Sequence, residues 1–211
     1  MKDNLIVTIG RQFGSGGREI GQKVAQLLNL KYYDRELILE ASKISGLCTE
    51  HFERADEKAP NRFINALSMG WISGASGIPS TGGLTDEVIF KVQSDVIRNI
   101  AETQSAVIVG RCADYILREY PHCCNIFIHA PLQDRIQRII DRNKDKVSAR
   151  QAEEIALKRN KIRATYYNFY TDKTWGDAAS YDLCIDSSLL GCEATARLIA
   201  SFVEQRFAGR K

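Results

Sequence analysis

No stretch of this 211-residue chain approaches the ~20 consecutive apolar residues that a membrane span requires. The first apolar run, Leu5 to Ile9, is only strand length and follows no basic leader segment. The expectation is a cytoplasmic protein with no membrane partner. Charge of one sign is also scarce: 29 Lys and Arg against 26 Asp and Glu leave a net charge of +3. That is too little for a nucleic-acid surface, so any basic function must be local. The six cysteines (Cys48, Cys112, Cys123, Cys124, Cys184, Cys192) contain no C-x-x-C pair. A clustered zinc site is not expected, no metal ligand is named, and the cysteines read as small buried apolar residues in a reducing compartment. There is no internal repeat. The length suits one core domain carrying inserted subdomains.

What the chain does have is a short apolar run that breaks into glycines and then into a helical pattern, Leu5-Ile-Val-Thr-Ile-Gly-Arg-Gln-Phe-Gly-Ser-Gly-Gly-Arg-Glu19. It reads as strand, loop and helix. Gly14, Gly16 and Gly17 allow positive φ and turn N–H groups inward, and the helix beginning near Arg18 aims its positive dipole end at the same point. The product is an anion cradle, with a nucleotide phosphate as the expected anion. Against the pattern G-x-x-x-x-G-K-[ST], Gly17 stands where the lysine belongs and Arg18 where the hydroxyl belongs. Arg18 could supply the cation one position later. A ligand-free turn and a dinucleotide fingerprint remain alternatives, the second because Asp34 follows about 20 residues on, although Glu19 occupies its third glycine.

Ile20, Val24, Leu27 and Leu28 extend the first helix to about Leu28, where Asn29 ends it. A strand over Leu30 to Tyr33 delivers Asp34 to a strand's carboxyl end, as a site residue or as the cap of a helix from Arg35. A polar helical pattern then runs to about Leu67, broken at Gly46 and Pro60. Residues 68 to 83 are rich in Gly and Ser, a loop long enough to serve as a flap, with Trp71 and Ile72 either docking it or anchoring it. Asp86 to Glu102 is helical with Val88, Ile89, Val92, Val96, Ile97 and Ile100 inward. Ser105 to Gly110 is a strand buried on both faces. It ends at Arg111, with Asp114 close behind. A cation at that place calls for an anionic partner, whether ligand or structural carboxylate.

Asn125 to Ala130 is the next strand, and Pro131 starts a helix with Arg135 and Arg138 on one face. Ser148 with Gln151 forms a capping box for a helix from Ala149 to about Tyr170. Ile155, Ile162, Tyr166 and Phe169 are expected to form its apolar stripe, with Arg159 and Arg163, four residues apart, on its flank; Lys158 and Lys161 read as a solvated face. Tyr181 to Asp186 is a last strand, and Glu193 to Phe207 a closing helix.

Three segments together resemble the cytidylate kinase-like family of P-loop nucleoside monophosphate kinases: Ile9 to Gly21 with Tyr32-Tyr-Asp-Arg-Glu-Leu37; Val107 to Leu117; and Arg163-Ala-Thr-Tyr-Tyr167 with Trp175-Gly-Asp177 and Tyr181 to Asp186. The resemblance implies an α/β fold, a three-layer α/β/α P-loop kinase with a parallel five-stranded sheet. It also implies a single domain over 1–211, divided into core (1–34, 104–147, 181–211), a helical monophosphate-binding insertion (35–103) and an arginine-bearing lid (148–180). ATP and Mg2+ are the implied cofactors and small nucleotides the implied partners, with a homodimer left open. The implied donor site is Gly14, Ser15, Gly16, Gly17, Arg18 and Glu19. Arg18, Arg159 and Arg163 would act in transfer, and Asp34, Arg111, Asp114 and Asn160 would face the acceptor. Three positions depart from the family pattern: Cys112 replaces the Asp that helps read cytosine, Asn160 replaces a lid Asp, and Gly17 replaces the lysine.

Overall fold

Five short runs rich in β-branched and aromatic residues, Ile6–Arg11 (β1), Lys31–Tyr33 (β2), Ala106–Val109 (β3), Cys123–His129 (β4) and Leu183–Asp186 (β5), pair in parallel in the order β2-β3-β1-β4-β5. The computed structural model describes residues 4–34, 86–143 and 146–208. The helical pattern from Arg35, the Gly/Ser-rich loop, Trp71, Ile72 and Cys48 lie outside the described residues.

Alternation along the strands builds two cores. Val7, Ile9, Val107, Val109, Ile126 and Ile128 point to one face. There they meet Ile20 and Val24 of α1 (Gly17–Leu27) and Ile199 and Val203 of α6 (Ser187–Phe207). Ile6 and Ile108 point to the other face, against Val96, Ile97 and Ile100 of α2 (Asp86–Thr103), Ile116 of α3 (Ala113–Ile116) and Tyr167 of α5 (Ala149–Thr171). Three layers result, with helices on both sheet faces. A smaller core joins α4 (Leu132–Arg142) to α5 through Ile136, Ile139, Ala152 and Ala156, and takes in Phe13 from the glycine loop.

The ends of elements follow local chemistry. Asn29 takes φ 52 and closes α1 with Leu30 N–H donating back to Ala25 O at 2.8 Å, the left-handed C-terminal stop expected of Asn. The Ser148–Gln151 capping box opens α5 as the sequence implied. Strand β1 runs on past Ile9 to Arg11, pairing Gly10 with Phe127 and Arg11 with Ile128.

One expectation is corrected. The stripe of α5 does not run through Phe169, which is 72% exposed; Ile155, Ile162 and Tyr166 are half-buried, and Ala152, Ala156, Tyr167 and Thr171 are buried. Ala152 and Ala156 pack on α4, while Tyr167 packs on the sheet side with α2 and α3, so the helix changes partners along its length. Ahead of the expected last helix, which the structure keeps over 193–207, lies one further helical turn from Ser187, capped by Asp186, whose carboxylate accepts from Ser188 N–H at 2.8 Å; Gly191 (φ 70, ψ 174) leaves helical geometry between the two.

Candidate functional site

The carboxyl ends of β1, β2 and β3 open into a cavity of about 820 Å³. Its floor is the turn between β1 and α1. Gly14 and Gly16 take φ 85 and 78, the left-handed region that only glycine enters freely. Ser15 between them is buried and donates to Gln12 O at 2.9 Å, so it shapes the turn and does not line the cavity. No side chain caps α1, so its first-turn N–H groups are presented to an external acceptor, reinforced by the helix dipole.

Side chains from far along the chain hold this turn. Ser187 Oγ donates to Ser15 O at 2.6 Å and is itself held by Arg138 Nη1 at 3.2 Å. Phe13 N–H donates to Asn160 Oδ1 at 2.8 Å, and Arg163 Nη1 donates to Arg11 O at 2.8 Å. The Arg163 guanidinium also stacks over Phe13, with Cζ 5.4 Å from the ring centroid. Gln12 Oε1 accepts from Ala130 N–H at 3.1 Å.

Guanidinium groups gather around this floor. Arg18, Arg111, Arg159 and Arg163 all line the cavity, with Asp34 and Asp114 as acidic neighbours. Arg18 Nη2 lies 2.9 Å from Asp34 Oδ2. Burial, followed by the charges of Arg11 and Arg159, holds the Arg163 guanidinium well below the usual arginine range. The cavity lining as a whole carries seven arginines against four carboxylates, more positive charge than it balances itself. Burial likewise pushes the Asp114 carboxyl above its ordinary value, against the hydrogen bond it accepts from Tyr167 Oη at 2.7 Å.

The exit of β3 differs in backbone. Gly110, Arg111 and Cys112 take φ 82, 62 and 54 in succession. Left-handed arginine and cysteine store conformational energy, and such outliers cluster at ligand sites. Arg111 sits beside the Tyr166 hydroxyl, and Cys112 is buried with its thiol pushed far up by burial.

Of the residues singled out from sequence, Gly14, Gly16, Gly17, Arg18, Glu19, Asp34, Arg111, Asp114, Arg159 and Arg163 share the cavity. Ser15 and Asn160 stand behind it as braces. Sequence reasoning passed over Arg11, which also lines the cavity, and over Tyr167 and Ser187. The signal for Arg11 was available: a cation closing a buried strand, the same argument that picked out Arg111.

An all-parallel sheet with helices on both faces, a glycine turn after its central strand and arginines converging over that turn define the P-loop kinase fold class. The model of the cytidylate kinase-like family matches residues 6–189, and the chain belongs to that family. It is 33% identical over 181 residues to a cytidylate kinase of Methanosarcina barkeri, covering 86% of each chain. Among solved structures it is similar to an uncharacterized protein from Eubacterium ventriosum, with 31% identity, a TM-score of 0.71, and coverage of 96% of this chain and 99% of that one. A gluconokinase from Sinorhizobium meliloti shares the fold, at 14% identity and a TM-score of 0.54 over all of both chains. Family and fold together support a phosphotransferase acting on a nucleotide or another small molecule. No helix among the described residues is long and apolar enough to cross a membrane.

Proposed function

We propose that this protein transfers the γ-phosphoryl group of ATP to a nucleoside monophosphate of the CMP or dCMP type. The observation that carries the reading is the meeting of Arg18, Arg111, Arg159 and Arg163 over an uncapped helix start whose glycine turn is braced from behind. Phosphoryl transfer asks a protein for positioning and charge neutralisation, not for a nucleophile, and this wall offers both.

Bound ATP supplies the phosphoryl group. Gly14, Gly16, Gly17, Arg18 and Glu19 would hold its phosphates through main-chain N–H groups, the shape of the turn being set by Ser15. Arg111, Asp34 and Asp114, at the β2 and β3 exits, would face the acceptor. Its phosphate oxygen forms the new P–O bond as the bond from the γ-phosphorus to the bridging oxygen breaks, giving a nucleoside diphosphate and ADP. Arg159 and Arg163 would neutralise charge on the group in flight. Asn160, with Oδ1 already accepting from Phe13, would position the turn and leave the acceptor sugar to others. The division into core, acceptor insertion (35–103) and lid (148–180) belongs to the same proposal.

The residues here fit a triphosphate but not a protein-held magnesium. Arg18 stands at the hydroxyl position and engages Asp34, and among the described residues no three His, Cys, Asp or Glu side chains converge. A coupled ADP-release assay over CMP, dCMP, UMP, AMP, GMP and a non-nucleotide alcohol tests the acceptor. ADP release with the cytidine monophosphates above all others is expected. Gly17 at the lysine position favours a second reading, a nucleotide-binding regulator, and ATP binding with silence on every acceptor would establish that one instead.

A further inference from the structure

Two departures from the loop pattern share one cause. If Gly16 is its last glycine, the first glycine falls at Arg11 and the lysine at Gly17. The Arg11 side chain leaves the end of β1 and passes directly over Gly17. A Cβ at Gly17 would lie 2.6 Å from Arg11 Cβ and 2.9 Å from Cγ, so no side chain can start from position 17 while Arg11 is present. At its far end the guanidinium rests on Gly110 at the β3 exit: a Cβ there would sit on Arg11 Nη1, with Cζ at 3.0 Å. The side chain thus spans from the phosphate turn to the acceptor-side strand in a channel kept open by two glycines.

Its surroundings make this more than a space-filling contact. Desolvation lowers its pKa, while Tyr32 and Asp34 at a distance favour its charge and Arg18 opposes it. Arg18, by contrast, is half exposed and already engaged by Asp34 at 2.9 Å. Arg11 forms part of the cavity wall together with Arg18, Arg111 and Arg163. A half-buried guanidinium with no ion pair among the described residues is an anion site in waiting.

We propose that Arg11 carries the cation that the loop pattern assigns to the lysine, delivered from the strand side over Gly17, to the terminal phosphate oxygens of a bound nucleoside triphosphate. Arginine at this place is not a lysine in disguise. Its planar fork contacts two phosphate oxygens at once, and its reach places the charge toward β3, where donor and acceptor phosphates meet. Gly17 and Gly110 are then parts of the same device.

The inference rests on the triphosphate reading of the site, and the experiment separates the two. Calorimetric titration with ATP, ADP and AMP is run on the wild type, R11A, R11K and the double variant R11G/G17K. Thermal unfolding is measured for each, and transfer is measured wherever the wild type shows it. Arg11→Ala should weaken ATP about 10- to 100-fold and AMP less than threefold, with a transfer loss of about 10²–10³. R11G/G17K should recover at least tenfold of the lost ATP affinity. Equal ATP affinity in wild type and folded R11A overturns the inference and leaves the site reading intact. Should R11A unfold, R11K and R11G/G17K decide: wild-type stability without recovered preference for ATP over AMP makes Arg11 structural. Failure of the wild type to prefer ATP over AMP removes the site reading itself, and the inference with it.

Discussion

The exits of β1 and β3 lie side by side under one cavity and are built on opposite plans. The β1 exit is braced: Ser187, Asn160, Arg163 and Gln12 all hydrogen-bond into or out of its turn, and its left-handed positions are glycines. The β3 exit is strained: Arg111 and Cys112 follow Gly110 into left-handed space. Asp114, just behind them, is half-buried with Tyr167 as its hydrogen-bond donor. A pre-formed cradle needs rigidity, because every amide must already point at the anion. A strained exit persists only where its surroundings over-determine it, and here it aims a single guanidinium into the cavity.

That contrast predicts different consequences for damage at the two exits. Arg111→Ala should lower transfer by about 10²–10³, roughly 3–4 kcal/mol of barrier, while leaving thermal unfolding nearly unchanged; steady-state kinetics and a melting curve on the same sample check both. A matching loss of folding would make Arg111 structural and erase the contrast. Ser187→Ala should do the reverse. It strips the buried Ser15 carbonyl of its donor, costs about 1–3 kcal/mol in urea unfolding, and weakens the cradle in proportion to the stability lost.

The carboxyl of Asp114 sharpens the comparison through pH. Its folded pKa lies above its ordinary value because of burial, so the folded state holds the proton more tightly than the unfolded state. Its contribution to stability is therefore fully present below the ordinary carboxylate range and falls as pH rises toward the elevated folded value. Asp114→Asn should flatten that part of the stability–pH curve, measured by denaturant midpoints across acid to neutral pH; an unchanged slope would place the effect elsewhere. The smallest effect is expected far from both exits. Arg150 and Glu154 form an exposed pair on α5, and Arg150→Ala should shift stability by no more than about 0.3–0.5 kcal/mol.

How much of this was legible in the sequence follows from range. The glycine turn, the doubly buried β3 and the Ser148 capping box announce themselves within a few residues, and each appears where expected. Arg18, Asp34, Arg111 and Arg163, which the structure brings to one cavity, were singled out because they end strands or flank helices in a legible pattern. The stripe of α5 was misread because a 23-residue helix packs on two different partners, so no single periodicity describes it. The helical turn ahead of Gly191 was not anticipated, because that glycine interrupts the helix in sequence and in space alike. The braces were invisible for a plainer reason: Ser187 is 172 residues from Ser15 and Asn160 is 147 from Phe13, and one polar residue carries no hint of so distant a partner. The path of Arg11 across Gly17 belongs with these. Only coordinates show that one side chain accounts for both departures from the loop pattern.

The claim on which the account stands is that the turn after β1 wraps a polyphosphate. Backbone amide NMR shifts during titration with inorganic tripolyphosphate read it directly. Saturable movement of the Gly14, Gly16, Gly17, Arg18 and Glu19 amides, weakening steeply as salt is raised, is the predicted result. Those amides standing still while tripolyphosphate reaches millimolar excess would contradict it.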